Sequence, residues 1–314
     1  MMRLTLAIPS KGRLQEQANA FFADAGLPLK QSAGARGYRA TMRGIDIDVM
    51  LLSASEIAAG LVAGDVHLGI TGEDLLRETA PELESRIALL HPLGFGFANV
   101  VVAVPQAWID VSTMADLDDV CAAFAHRHRR RLRVATKYTH LTRGFFARAG
   151  ISDYRIVESA GATEGAPTAG TAEAIVDITT TGATLAANGL KVLDDGTILE
   201  SQAQLAASLS ADWGMGARAA AFALFSRIGA RERAKASHVL RVRLDNEIRN
   251  TIARLDLRML SESPGEAALL CPRDRLMDVI SAFEGKGATV QDVEYVFDGA
   301  EPLSEKLLSA LSKS

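Results

Sequence analysis

Ala174-Ile175-Val176-Asp177-Ile178-Thr179-Thr180-Thr181-Gly182-Ala183-Thr184-Leu185 is an apolar strand that delivers one carboxylate into a threonine- and glycine-rich turn, and the turn opens a helix. Backbone N–H groups at a helix N-terminus, with hydroxyls from Thr179, Thr180, Thr181 and Thr184, can surround a phosphate with donors. Gly182 lets the backbone approach such a ligand closely. Asp177 lies just upstream, and a carboxylate there accepts hydrogen bonds from a vicinal diol, so the segment describes a pocket for a ribose 5-phosphate. An ordinary capped helix needs one hydroxyl, whereas this turn carries several.

Outward from this stretch, strands and helices alternate. Residues 3–8 read as a buried strand, followed by the turn Pro9-Ser10-Lys11-Gly12-Arg13 and a helix running towards Gly26. A strand over 45–52, a helix over 53–62 and a strand over 66–70 continue the pattern. After a strand at 99–104, further strands are expected at 132–136, 154–157 and 174–178. Such alternation favours open, largely parallel sheets with ligands at the carboxyl ends of the strands, and predicts two α/β lobes around a cleft. A helix from Trp213 to about Ala236 leads to strands at 239–244, 257–261, 267–271 and 289–296, with helices near 246–255 and 274–284. That order is βαββαβ, ferredoxin-like.

Composition narrows the function. The chain has 314 residues, enough for about two or three domains. Its 34 basic and 38 acidic residues leave a net charge of −4, which argues against a nucleic-acid-coating surface, so any anion site is local. Cys121 and Cys271 stand far apart without zinc or redox spacing, which suits a reducing compartment. The apolar stretch 4–8 is cut short by Pro9, too brief for a signal core or a membrane span, so a cytoplasmic protein without membrane contact is expected. His126-Arg127-His128-Arg129-Arg130-Arg131 reads as a solvated basic loop or helix end, with no carboxylate or cysteine at ligand spacing to suggest a metal.

Three further stretches place cations and hydroxyls at strand ends. Pro9-Ser10-Lys11-Gly12-Arg13-Leu14 sets two cations around a glycine, where they could meet pyrophosphate or could simply be solvated. Val66-His67-Leu68-Gly69-Ile70-Thr71-Gly72-Glu73-Asp74-Leu75 is a second strand–turn–helix, equally readable as a glycine turn with a Thr71 or Glu73 cap. Ala135-Thr136-Lys137-Tyr138-Thr139-His140-Leu141-Thr142-Arg143 adds Lys137. No nucleophile triad and no acid/base carboxylate pair presents itself. Catalysis would therefore rest on positioning and charge. A bond from ribose C1 to pyrophosphate breaks with oxocarbenium character, so an enzyme for it must hold the leaving pyrophosphate and align the incoming nitrogen; magnesium and cations can do that, and Asp177 can stabilise the sugar's positive charge.

Taken in order, these motifs resemble the ATP phosphoribosyltransferase family, in its long form with a C-terminal regulatory domain, over roughly residues 3–208. The last matching segment runs from Asp177 through Ala186-Ala187-Asn188-Gly189-Leu190. The resemblance implies a two-lobed core similar to periplasmic binding proteins, followed by the ferredoxin-like unit. The expected division is residues 1–97 with 189–230 as lobe I, 98–188 as lobe II carrying the phosphoribosyl pyrophosphate loop, and 231–314 as the C-terminal domain. It further implies the first step of histidine biosynthesis: N1 of the adenine of ATP attacks ribose C1 of phosphoribosyl pyrophosphate, with magnesium (Mg2+), giving phosphoribosyl-ATP and pyrophosphate. Asp177, Lys11 and Arg13 are then the expected catalytic residues. Thr179, Thr180, Thr181, Gly182, Ala183, Thr184 and Leu185 would bind the 5-phosphate side, with Lys137 nearby, and Thr71, Gly72 and Asp74 would line the cleft. Glu164 joins them from Glu158-Ser159-Ala160-Gly161-Ala162-Thr163-Glu164-Gly165-Ala166-Pro167, which resembles a family loop with Gly165 in place of an apolar residue.

Segment 121–131 reads as an insertion relative to the family. The C-terminal part matches in element order and in Phe283-Glu284-Gly285-Lys286-Gly287-Ala288, which implies histidine as a feedback inhibitor and a homo-oligomer, dimer or hexamer. Two other readings compete. The threonine loop is also similar to that of purine and pyrimidine salvage phosphoribosyltransferases, but those carry two adjacent acids where this chain has Val176 before Asp177. A non-catalytic ligand sensor would share the two lobes and cleft, and would bind without turnover.

Overall fold

Leu4, Leu6 and Ile8 pack into one hydrophobic cluster and Ala7 into another, so the first strand is covered on both faces. The computed structural model describes residues 3–31, 39–159, 161–285 and 287–313; Ala160 of the Glu164 loop and Lys286 of the 283–288 segment lie outside the described residues. The chain begins β1 (Thr5–Pro9), α1 (Gly12–Asp24), β2 (Leu29–Gln31), β3 (Arg39–Met42), β4 (Asp48–Leu52), α2 (Ala54–Ala63), β5 (Leu68–Gly72), α3 (Glu73–Thr79), α4 (Leu83–Arg86) and β6 (Ile87–Pro92). It crosses to β7 (Asn99–Pro105), α5 (Met114–His128), β8 (Leu132–Thr136), α6 (Thr139–Arg148), β9 (Tyr154–Glu158), β10 (Ala174–Thr179), α7 (Ala183–Ala187) and β11 (Leu190–Leu199). It then returns through β12 (Ala203–Ser208) and the long helix α8 (Met215–Ala236).

The first sheet has the order β2-β3-β4-β1-β5-β12-β6, with β1 parallel to β4 and β5, and the returning β12 antiparallel to β5 and β6. The second has the order β11-β7-β10-β8-β9, with β8, β9 and β10 parallel and β7 antiparallel to β10 and β11. Two α/β lobes are therefore joined by two crossover segments, residues 93–98 outbound and 200–202 on return. His67 ties the first lobe together: its Nδ1 accepts from the Thr5 N–H at 3.2 Å, and its Nε2–H donates to the Asp212 carbonyl at 2.9 Å. The basic run at 126–131 is the end of α5, where Arg129 takes a left-handed conformation and Arg130 turns back to pair with Glu173 at 3.0 Å.

Beyond α8 come β13 (Ser237–Arg243), α9 (Asn246–Arg254), β14 (Arg258–Ser263), β15 (Glu266–Pro272), α10 (Leu276–Ala282), β16 (Thr289–Gln291) and α11 (Pro302–Leu311). The sheet order β14-β15-β13-β16, antiparallel throughout, gives the βαββαβ arrangement expected. Its last strand corrects the sequence reading, ending at Gln291 rather than 296. The chain leaves the sheet because the following residues dock on the core: Val296 N–H donates to the Ala230 carbonyl at 2.9 Å, and the Tyr295 hydroxyl to the Asp24 carbonyl at 3.2 Å. Leu303 and Leu307 of α11 then join the core cluster of the first lobe. Among the described residues, no helix is long and apolar enough to cross a membrane.

Candidate active site

Glu173 sets the geometry of the site by stapling the start of β10 to β8. Its carboxylate accepts from the Arg133 backbone N–H at 2.8 Å and the Arg133 guanidinium at 2.7 Å, while the Glu173 N–H donates to the Arg133 carbonyl at 2.9 Å. With Ala174 opposite Val134 and Ile175 opposite Ala135, the two parallel strands end side by side. One delivers Asp177 and the threonine turn, the other Lys137.

The turn is preorganised by its own hydroxyls. Thr179 Oγ1 accepts from the Gly182 N–H at 2.8 Å, Thr181 Oγ1 from the Ala183 N–H at 3.4 Å, and the Thr180 hydroxyl donates to the Phe97 carbonyl of the outbound crossover at 3.0 Å. Gly182 sits at φ +74°, a conformation that side-chain-bearing residues rarely adopt. Asp177, Glu164, Thr179, Thr180, Thr181 and Thr184 line a cavity of about 340 Å³. Leu185 also borders it, yet its side chain is buried in the lobe's core, so it offers the ligand only backbone. Thr184 and Leu185 are the second and third residues of α7, positions whose N–H groups have no partner within a helix. A second cavity of about 400 Å³, bordered by Phe97, Thr180, Glu200, Ser201 and Gln202, adjoins it at the two crossovers.

Burial raises the Asp177 carboxyl above its ordinary value, the nearby Glu164 charge raises it further, and Lys137 and the Ile178 N–H counter this. The cavity thus joins two carboxylates across the fold, a pairing that sequence spacing did not reveal. Lys137 is exposed, its ammonium 4.9 Å from the Tyr138 ring.

The remaining expected residues lie elsewhere. Lys11 and Arg13 are exposed at the start of α1 on the other lobe and do not border the 340 Å³ cavity. The neighbouring Leu14 packs on the outbound crossover, where a Cβ placed on Gly96 would lie 3.0 Å from its side chain. Thr71 is fully buried and its hydroxyl donates to the Ala54 carbonyl at 2.9 Å, anchoring α2. Asp74 is also buried, its carboxylate taken up by the hydroxyls of Tyr138 at 2.6 Å and Ser201 at 2.9 Å. Gly72 leaves room for that carboxylate, because a Cβ there would overlap it. Phe97 and Ser201, in the crossovers, carried no motif that a sequence reading could single out.

The ATP phosphoribosyltransferase (HisG) family model matches residues 53–228, a span that includes the threonine turn, Glu164 and Asp177. Relatives bearing the name ATP phosphoribosyltransferase include one from Nitrobacter winogradskyi, 55% identical over 97% of both chains, and one from Nitrobacter hamburgensis, 56% identical over 97% of both. A third, from Rhodopseudomonas palustris strain HaA2, is 55% identical over 98% of both. Among solved structures, an ATP phosphoribosyl transferase (HisG:HisZ) complex from Thermotoga maritima is similar at 26% identity over 65% of this chain and 87% of that one, with a TM-score of 0.49. With a family match over more than half its length and such relatives spanning nearly all of it, this chain belongs to the ATP phosphoribosyltransferase family.

Proposed function

We propose that the cleft joins ATP to phosphoribosyl pyrophosphate, with N1 of the adenine displacing pyrophosphate from ribose C1, as the first step of histidine biosynthesis. The observation that carries this reading is the single cavity of about 340 Å³ where four threonines of one turn face Asp177 and Glu164. The hydroxyls of Thr179, Thr181 and Thr184 and the N–H groups of Thr184 and Leu185 hold the 5-phosphate, and Asp177 accepts from the ribose hydroxyls. A carboxylate beside a ribose ring also stabilises positive charge as the C1 bond to pyrophosphate breaks. Lys137, on the adjacent strand end, and Lys11 and Arg13, across the cleft, offset the charge of the pyrophosphate and of ATP. No residue here must form a covalent intermediate; holding the nitrogen and C1 in line accounts for the role of the site.

Magnesium fits this donor set in a particular way. Among the described residues no group of three or more His, Cys, Asp or Glu side chains is arranged to hold a metal. Magnesium commonly binds through one or two carboxylates plus substrate phosphates, however. Asp177 and Glu164 are the carboxylates the cavity offers, and a cation there would offset the burial that, ahead of the Glu164 charge, raises the Asp177 carboxyl. When bound with pyrophosphate, the ion would neutralise charge on the leaving group. The C-terminal βαββαβ unit is a candidate seat for histidine feedback, and histidine titration of the active enzyme tests it.

The deciding experiment is pyrophosphate release, coupled to a pyrophosphatase, with magnesium, ATP and phosphoribosyl pyrophosphate, omitting each in turn. Release only when both substrates are present supports the transferase. Binding of phosphoribosyl pyrophosphate without release under any combination would favour a sensor.

A further inference from the structure

Asp74 lies where both lobes and the return crossover meet. It belongs to the first turn of α3 in the first lobe, accepts from the Tyr138 hydroxyl of the second lobe at 2.6 Å, and accepts from the Ser201 hydroxyl of the crossover at 2.9 Å. Its own N–H donates to Ser201 Oγ at 3.0 Å, and the neighbouring Glu73 N–H donates to the Gln202 carbonyl at 3.1 Å. Gly72 is required for this arrangement, because any side chain there would push the carboxylate away. One turn further along α3, the Glu78 carboxylate accepts from the backbone N–H groups of His140 at 2.9 Å and Leu141 at 3.0 Å, so the same helix grips the start of α6.

Tyr138 is the second-lobe half of this junction. It is completely buried, its N–H donates to Thr136 Oγ1 at 2.8 Å, and its carbonyl accepts from the Thr142 hydroxyl at 2.5 Å. Burial first, and then the Asp74 charge, holds its phenol well above the ordinary range, so it remains a donor. The residue before it is Lys137, whose ammonium rests against the Tyr138 ring and whose charge is felt by Asp177. The turn anchored at Tyr138 therefore fixes the backbone from which Lys137 projects.

We infer that Asp74 and Tyr138 are positioning residues, whose hydrogen bond across the hinge sets the separation of the lobes and thereby holds Lys137 and the threonine turn at working distance from Lys11 and Arg13. Asp74 acts through Tyr138 and Ser201 and does not touch substrate. The inference rests on the transferase reading for its kinetic consequence and on the structure alone for its geometric one. Since the 5-phosphate and ribose groups all belong to the second lobe, that half-site forms whether or not the hinge is set, and only the alignment of the two substrates depends on it.

Tyr138→Phe removes the donor and keeps the ring. With the contact across the hinge lost and the two substrates no longer held in line, kcat is expected to fall by roughly 10- to 100-fold. The dissociation constant for phosphoribosyl pyrophosphate alone, read by calorimetry, should stay within about twofold. Gly72→Ala, which displaces the carboxylate with Asp74 intact, should show the same split. Asp74→Asn should recover most of the kcat lost in Asp74→Ala, because an amide oxygen still accepts from Tyr138 and its NH2 still meets Ser201. Spin labels at Glu84→Cys and Ile109→Cys, exposed positions on the two lobes, give a readout independent of turnover: the interlobe distance distribution should broaden in Tyr138→Phe. Wild-type kcat in Tyr138→Phe, a dissociation constant that worsens in step with kcat, Asp74→Asn as inactive as Asp74→Ala, or an unchanged distance distribution would each overturn the inference. Wild-type protein that releases no pyrophosphate would instead overturn the transferase reading, and the distance measurement would still decide the hinge.

Discussion

Replacing Glu173 by Gln removes a charge from the staple between β8 and β10, and the structure gives the size of the effect. The Glu173 side chain is 14% exposed. Burial by itself would raise its carboxyl, but hydrogen bonds from Arg133 and Arg130 outweigh burial and bring it from 4.5 down to about 2. At about 1.36 kcal/mol per pH unit, that depression corresponds to roughly 3 kcal/mol of stability at neutral pH. Arg130 is 46% exposed, so solvent screens its share, and about 2–3 kcal/mol is a fair expectation. Because the folded carboxyl is depressed, the stabilisation is present above pH 4.5 and is lost as pH falls towards 2. Urea unfolding of wild type and Glu173→Gln at pH 7, 5 and 3 should show a gap that is full at the first two and shrinks at the third. Asp24, whose carboxyl Arg231 and Lys235 bring down to about 2 against the effect of burial, also weakens the wild type in acid, but it is common to both proteins and cancels. A gap of equal size at pH 7 and pH 3 would refute the reasoning and assign the loss to side-chain packing.

Other outcomes follow from the site. Asp177→Ala should lower pyrophosphate release by about 100-fold or more, since an acceptor for the ribose and a negative charge beside C1 both go; full activity would remove Asp177 from the site. Gly182→Val places a β-branched residue at φ +74° with no protein atom within 4 Å of its Cβ, so strain rather than a clash with the fold is the cause. It costs roughly 1–2 kcal/mol in the turn and should appear as a raised KM for phosphoribosyl pyrophosphate. The Cys121 thiol is pushed up to about 12 by burial, with Asp118 and Asp153 adding to it, so native protein at pH 8 should resist iodoacetamide at this position and become labelled only in urea.

The parts of the fold legible in the sequence are those whose signal is local. Residues 132–136 and 174–179 are short apolar runs ending in threonine, and both are strands of the second sheet. The β10 turn could be read for the same reason: its threonines and glycine are consecutive, and Thr179, Thr180, Thr181 and Thr184 border one cavity. By contrast, Ala203–Ser208 is rich in alanine and carries no strand signature, yet all of it is buried between β5 and β6. Small side chains suit a strand pressed on both faces, but alanine by propensity suggests helix, and tertiary packing decided otherwise. The partners of Asp74 were hidden for a different reason. Tyr138 and Ser201, the partners of Asp74, lie 64 and 127 residues away in the chain. Only the order of strands in two sheets brings them together. Sequence pattern placed Asp74 at the end of a strand, where cleft residues sit; it could not show that the side chain turns inward.

That inward turn bears on why a charge should lie at the hinge at all. An apolar junction between lobes would be satisfied over a range of sliding positions, because hydrophobic contact has no preferred direction. A buried carboxylate is satisfied only where donors meet its lone pairs, and leaving one unpaired is costly. Asp74 accepts one donor from the second lobe and one from the crossover, so only a narrow range of lobe orientations keeps both oxygens paired. A transferase with no covalent intermediate depends on the alignment of two bound molecules, and the proposed site divides the groups that would hold them between two lobes. A directional contact at the pivot is the device that such a division requires: an error of a few degrees there is multiplied by the lever arm of each lobe before it reaches the distance between the attacking nitrogen and C1.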